Sequence, residues 1–154
     1  MCSSDLIALA CDIIVASDQA KFALPEPRVG LAAGAGGMQR LSRMIPLKKA
    51  MGMMLTGRHV PAKEGYELGF VTEVVPHAEL MKAARRWADE ILACSPMSVR
   101  ATKQVVMRSL DVPALEVATH NLHYPAFVAM TRSEDTVEGP KAFAEKRKPN
   151  WKGR

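Results

Sequence analysis

Between Phe22 and Leu41 the sequence reads FALPEPRVGLAAGAGGMQRL, and its prolines and glycines leave the backbone few choices. Pro27 presses Glu26 toward an extended conformation, and the apolar Lys21-Phe22-Ala23-Leu24 run suits a short strand, so Glu26 is placed at or just past a strand end. Gly34, Gly36 and Gly37 permit positive φ and close backbone approach, and Met38-Gln39-Arg40-Leu41 opens a helical pattern whose unpaired N–H groups can face a polar ligand. A carboxylate and a helix N-terminus can then share one cleft. On spacing alone, a solvated loop glutamate beside an ordinary turn is the more economical reading.

Before this stretch, Leu6 to Ala16 (LIALACDIIVA) opens with a small-residue apolar pattern suited to a buried helix. It closes on β-branched Ile13-Ile14-Val15, so a passage from helix to strand is expected near Asp12, followed by a turn at Ser17-Asp18-Gln19. Beyond the glycines, Leu41, Met44 and Ile45 cluster at helical spacing, Pro46 interrupts, and Lys48 to Leu55 forms a second apolar stripe ending at Thr56-Gly57. Met51, Met53 and Met54 suit core packing first and an adaptable wall for an acyl chain second. Pro61 starts a short helix that ends at Gly69, and Phe70 to Val75 alternates as a strand closed by Pro76.

From His77 onward the pattern is helical. Leu80, Ala84, Trp87, Ile91 and Leu92 share one face of a helix over His77–Ala93, Ser95-Pro96 ends it, and Ser98 is the expected cap of the next. Pro113 starts a third stretch running to about Thr131, kinked or broken at Pro125, and the last helix is expected from Val137 to Lys146. No internal repeat or low-complexity linker interrupts this order.

The 48% hydrophobic and 24% charged composition is that of a globular chain and excludes disordered and collagen-like classes. The apolar run at Leu6 is too short for a bilayer and no charged leader precedes it, so a soluble, cytoplasmic protein without a membrane partner is expected. Cys2, Cys11 and Cys94 have neither disulfide-framework nor zinc-type spacing and read as reduced thiols. The net charge of +5 owes part to Lys146-Arg147-Lys148, Lys152 and Arg154, a solvated terminus or a phosphate contact; with only Trp151 interleaved, a nucleic-acid partner is not expected.

Other chemistry is sparse. Glu116, His120 and His123 can share a helix face, yet no fourth ligand or HExxH pattern supports a metal, and none is expected. Ser3 and Ser4 lack the GxSxG elbow, and Gly34 to Gly37 is neither a Walker loop nor GxGxxG.

Taken together and in order, ALACDIIVAS, KFALPEPRVGL, GAGGMQRL, MLTGRHVPAKEGYELGFVTEVVP, SPMSVRATKQ and EGPKAFAEKRKPNW resemble the crotonase superfamily, particularly its enoyl-CoA hydratases and isomerases. The resemblance runs from Ala8 to Arg154. It implies an α/β fold: the C-terminal part of a crotonase-type ββα spiral over residues 1–76, then a helical oligomerisation and CoA-contact region over 77–154.

In such hydratases two glutamates hold water against the double bond, and two backbone N–H groups stabilise the thioester enolate. The resemblance assigns Glu26 to the second glutamate, Pro25 and Val29 to the pocket around it, and Gly34 to the glycine that helps hold water. Ser3 falls at the oxyanion-hole glycine, where its backbone N–H would donate, and Leu6 falls at the first glutamate. Leucine transfers no proton, and Asp5 is directed elsewhere by helix phase. Phe127 and Lys146 match positions that contact CoA, often across a subunit boundary of a homotrimer or homohexamer.

The family's N-terminal half, with its Gly-Gly-Gly-x-Glu segment, is expected to be missing, and Met1 to Leu6 reads as a foreign or misassembled start. The implied activity is hydration of a 2-enoyl-CoA thioester, impaired by the truncation, with CoA entering as part of the substrate and no separate cofactor. The alternatives are an enoyl-CoA isomerase using Glu26 alone and a non-catalytic assembly fragment.

Overall fold

The computed structural model describes residues 3–120 and 122–154, without the side chains of Ser3 and Ser4. Two residues of the expected foreign start, Met1 and Cys2, lie outside them. The chain divides into two compact units, one ending at Arg85 and the other spanning Arg86–Arg154.

The first unit opens with α1 (Ser3–Ala8) and passes to β1 (Val15–Ser17), the expected change from helix to strand. It continues through β2 (Lys21–Phe22), a 3-10 turn at Glu26–Val29, α2 (Gly37–Met44), α3 (Leu47–Thr56), β3 (Val60–Pro61), α4 (Ala62–Leu68) and β4 (Glu73–Val75). β1 pairs in parallel with β4, Val15 opposite Glu73 and Ser17 opposite Val75, while β2 pairs antiparallel with β3. The Ile14 N–H donates to Thr72 Oγ1 (3.2 Å) and the Thr72 N–H to the Ile14 carbonyl (2.8 Å), so one threonine secures the entry to the parallel pair.

The core of this unit gathers Leu41, Met53 and Val60, each at most 2% exposed, with Leu9, Ile14, Leu24, Phe70 and Val71 around them. Phe22 meets Phe70 edge to face at 5.3 Å, a geometry aromatic quadrupoles favour. Strand pairing is shorter than expected: the Lys21–Leu24 strand stops at Phe22, and Phe70 and Val71 precede β4 as core residues rather than as part of it. Their apolar character answers to burial, which does not require a ladder. Gly57 and Gly69 close α3 and α4 in the left-handed conformation (φ 59° and 95°), as expected of glycines at helix ends.

α5 (Leu80–Leu92), preceded by a 3-10 turn at His77–Glu79, contains the division at Arg85. On its expected apolar face Leu80, Ala84 and Trp87 are half-buried, whereas Ile91 is 42% and Leu92 76% exposed. The second unit follows with α6 (Pro96–Ser109), α7 (Leu115–His120), α8 (Pro125–Thr131) and α9 (Glu134–Ala144). Ser95, not Ser98, caps α6: its hydroxyl accepts the Ser98 N–H, because Pro96 fits the first helical position and shifts the start forward. The expected helix from Pro113 is divided into α7 and α8, with Pro125 opening α8. α9 starts at Glu134 under a Ser133 cap and ends at Ala144, so it is displaced from the expected 137–146.

Two helical glycines test this packing. A β-carbon on Gly65 in α4 would lie 2.8 Å from Val71 Cγ2 and 2.9 Å from Phe70 Cζ, whereas one on Gly52 in α3 meets nothing within 4 Å. Replacing a helical glycine by alanine gains about 0.5–1 kcal/mol, while overpacking a core costs about 1–3 kcal/mol. Urea unfolding should show Gly52→Ala more stable and Gly65→Ala less stable than the parent. The reverse order would show that α4 does not pack against Phe70 and Val71 as described.

Candidate functional site

Glu26 heads a single 3-10 turn rather than an extended stretch. Pro27 occupies the second position of the turn, where its missing N–H costs no hydrogen bond, and this outweighs the local bias toward extended backbone. Gly30 ends the turn at φ 76°, and the Leu31 N–H donates to the Glu26 carbonyl at 3.0 Å. The side chain is half-buried, yet its Oε2 is fully buried and accepts no hydrogen bond among the described residues. A buried carboxylate oxygen without a donor is expensive, and such groups concentrate where a ligand or a proton is to be received.

The turn is seated on the end of α3. Arg28 Nε donates to the Thr56 carbonyl at 2.9 Å, and a β-carbon on Gly57 would lie 3.1 Å from both Pro25 Cα and Arg28 Cγ. Pro25 is half-buried in this contact and Val29 is 66% exposed at the far end of the turn. Gly34 is exposed in the following loop, its N–H donating to the Ala32 carbonyl at 2.7 Å. Gly36 caps α2 at φ 93° without a side-chain bond, and Arg40 Nη1 reaches back to the Ala35 carbonyl at 3.2 Å. Pro25, Glu26, Val29 and Gly34 therefore lie on one turn and the loop after it.

Those segments also wall an apolar cleft of about 410 Å³, within the size range of small-molecule sites. Pro27 comes from the Glu26 turn, Ala33 from the loop before Gly34, Met38 and Ser42 from α2, and Met51 and Met54 from α3. Met53, between them, is a core residue at 2% exposure, so the methionines divide between the core and the wall of the cleft.

Ser3 opens α1; its side chain is outside the described residues. Leu6 packs on the core with its Cδ2 against Gly37, where a β-carbon would come within 2.7 Å. The Asp5 carboxylate accepts the Ala23 N–H at 2.9 Å, so it is spent on the segment that leads to Glu26.

Phe127 and Lys146 lie in the second unit. Phe127 is half-buried on α8, and Lys146 is exposed just after α9 in the left-handed conformation (φ 52°), an unusual place for a residue other than glycine. The Lys146 N–H donates to the Phe143 carbonyl at 3.2 Å, and Phe143 is 87% exposed one turn before it. This exposed aromatic three positions before Lys146 was missed in the sequence, where only its spacing from Lys146 could have singled it out. His120 Nδ1 lies 2.7 Å from the Glu116 carbonyl, a contact within α7.

The segment carrying Lys146 is tied down by carboxylates. Glu138 takes both Arg147 Nη atoms (2.6 and 2.9 Å) and the Asn150 N–H (2.7 Å), and the Arg147 guanidinium holds its carboxyl down at about 2. Buried Asp135 accepts from the Ser95 hydroxyl (2.6 Å) and from the Lys152 and Gly153 N–H groups (2.7 and 3.2 Å); the Ser95 bond leads in lowering its pKa.

Comparison with known proteins converges on one family. A family model described as enoyl-CoA hydratase/isomerase matches residues 5–154. The carnitinyl-CoA dehydratase of Escherichia coli K12 is 40% identical over 153 residues, covering 96% of this chain and 58% of its own. The crystal structure of enoyl-CoA hydratase from Mycobacterium tuberculosis H37Rv aligns with a TM-score of 0.90 at 37% identity, covering 96% of this chain and 58% of that one. The enoyl-CoA hydratase of Bacillus anthracis aligns at 0.88 and 35% identity, covering 95% and 56%. The chain thus spans less than two thirds of the length of these relatives.

The carboxylate ties around Lys146 have a defined pH dependence. With its folded pKa depressed from the ordinary 4.5 to about 2, Glu138 contributes stability that is present above 4.5 and lost as pH falls through 2. Amide hydrogen-exchange protection at Arg147 and Asn150 should fall across that window, and Glu138→Gln should lower protection at pH 6 and flatten the dependence. An unchanged profile in that variant would overturn the assignment.

Proposed function

This chain belongs to the enoyl-CoA hydratase/isomerase family and carries the α/β crotonase fold, and from that premise we propose that it serves the addition of water across the 2,3 double bond of an enoyl-CoA thioester. Glu26 delivers a proton to the α-carbon, water adds at the β-carbon and the proton it sheds returns the Glu26 carboxylate to its acid form, while backbone N–H groups, that of Ser3 among them, hold the thioester oxygen as it gains charge. Pro25 and Val29 shape the pocket and the Gly34 loop positions the water. The observation that carries this reading is the Glu26 Oε2, buried without a hydrogen-bond donor and so ready to receive one.

Lys146 supplies a compact cation for a CoA phosphate, Phe127 remains a CoA contact, and the exposed Phe143 ring offers a face for the adenine. The protein works as a homotrimer or homohexamer in the cytoplasm. Exposed Leu110, Leu115 and Val137 in the second unit supply apolar surface for such assembly, and Cys11 and Cys94 are free thiols suited to a reducing compartment.

One observation favours isomerisation as the second reading. Leu6 is packed on the core where the resemblance places the first glutamate, and Asp5 is already bonded to Ala23, so Glu26 is left to move a proton between allylic carbons by itself.

Incubating the 154-residue chain with crotonyl-CoA and following loss of the conjugated thioester's ultraviolet absorbance tests hydration; 3-enoyl-CoA tests isomerisation. Glu26→Gln is expected to lower kcat by about 10²–10⁴-fold in whichever reaction runs. Turnover that survives the substitution overturns the role of Glu26, and a chain that neither turns over nor binds CoA is the assembly fragment instead.

A further inference from the structure

The segment 23–37 carries Pro25, Glu26, Val29 and Gly34, and α1 stands at its neck. β2 ends at Phe22, so the Ala23 N–H lies beyond the ladder with β3; the Asp5 carboxylate supplies its acceptor, with Oδ2 2.9 Å from that nitrogen. On the return leg, a β-carbon on Gly37 would lie 2.7 Å from Leu6 Cδ2, 3.0 Å from Leu24 Cδ2 and 3.1 Å from Ala33 Cβ, so both legs and α1 meet at this glycine. Ala23, Leu24, Ala33 and Gly37 are buried there, whereas the loop between them is largely exposed. Asp5 and Leu6 are consecutive on one helix, the first bonding the outgoing leg and the second packing where the legs meet. Both lie within the residues matched by the family model.

We propose that Asp5 is a positioning residue for Glu26: by bonding the Ala23 N–H it fixes the neck of the loop, and with it the place from which the Glu26 carboxyl meets the substrate. The inference rests on the reading of Glu26 as the carboxylate that transfers the proton. Such transfer is sensitive to placement, because an error of about 1 Å at a reacting group costs on the order of 10²-fold in rate. The far side of the loop is seated on the end of α3 through Arg28 and Gly57, so a loop freed at its neck keeps one support and loses the other. Asp5 acts through the Ala23 N–H, and what counts is an acceptor oxygen at the right reach. Asparagine has that reach without the charge; glutamate keeps the charge and is longer by a methylene.

Steady-state turnover of crotonyl-CoA and 3-enoyl-CoA by the full chain tests this. Asp5→Ala is expected to lower kcat by about 10–100-fold with KM changed less than about threefold. Asp5→Asn should keep kcat within about threefold of the parent, and Asp5→Glu should lose at least about tenfold. Amide exchange at Ala23 should quicken in Asp5→Ala and stay slow in Asp5→Asn. Val71→Ala, a core truncation beside α4, should lower the urea midpoint and keep kcat, which separates lost placement from lost stability. If Asp5→Ala does not fold, the Asn and Glu variants decide alone. An Asn variant slowed at least about tenfold, a Glu variant as fast as the parent, or an equal loss of kcat in Val71→Ala overturns the inference. Turnover lost in Glu26→Gln but kept in Asp5→Ala overturns the positioning role and leaves the Glu26 reading standing. Turnover that survives Glu26→Gln, or that is absent from the parent chain, overturns both.

Discussion

Gly57 turns in the left-handed region with Pro25 Cα and Arg28 Cγ packed 3.1 Å from where a β-carbon would point. Two demands meet at this residue, a positive φ to end α3 and an open side to admit another backbone, and glycine satisfies both. The Thr56 carbonyl beside it, left over by the helix end, is used by Arg28. The same helix terminus therefore stops α3, seats the Glu26 turn and fixes one wall of the cleft. The Glu26 carboxylate, whose Oε2 accepts no hydrogen bond among the described residues, is carried by a turn that these contacts hold.

A carboxylate also organises the second unit, in the opposite manner. Asp135 is 3% exposed and satisfied by donors from Ser95, Lys152 and Gly153, so the approach to α6, the first turn of α9 and the C-terminal residues meet on one side chain. The Trp151 indole N–H donates to the Ala93 carbonyl and the Glu134 N–H to the Arg154 carbonyl, which fasten the same residues from either side. Asp135 is buried and fully bonded, a structural carboxylate; Glu26 is partly buried and short of a donor. Partnership, more than burial, distinguishes the two carboxylates.

Much of this was legible locally. Glycines after helical stripes marked the ends of α3 and α4 because the left-handed cap is a property of one residue, and the Pro-Glu-Pro run drew attention to Glu26. The 3-10 turn, the shorter strands and the two-residue β3 depended on what each segment packs against, whereas the break of the 113–131 stretch at Pro125 was legible in the proline itself. Neither the burial of Glu26 Oε2 nor the contact of Gly57 with Pro25 can be read in a sequence, since the partners are about 30 residues apart and meet only in the folded unit. The roles proposed for these residues come from family resemblance, and packing supplies the reason they are held where they are.

The parallel pair of β1 and β4 sets an order on the first unit's biosynthesis. Ile14 and Thr72 are 58 positions apart, so strand β1 leaves the ribosome long before the strand that completes its ladder. At ordinary elongation rates of about 5–20 residues per second that interval is about 3–12 s. During it the β1 edge lacks the strand it pairs with in the folded unit. The unit's exposure to misassembly is thus a matter of timing, fixed by where β4 lies in the chain.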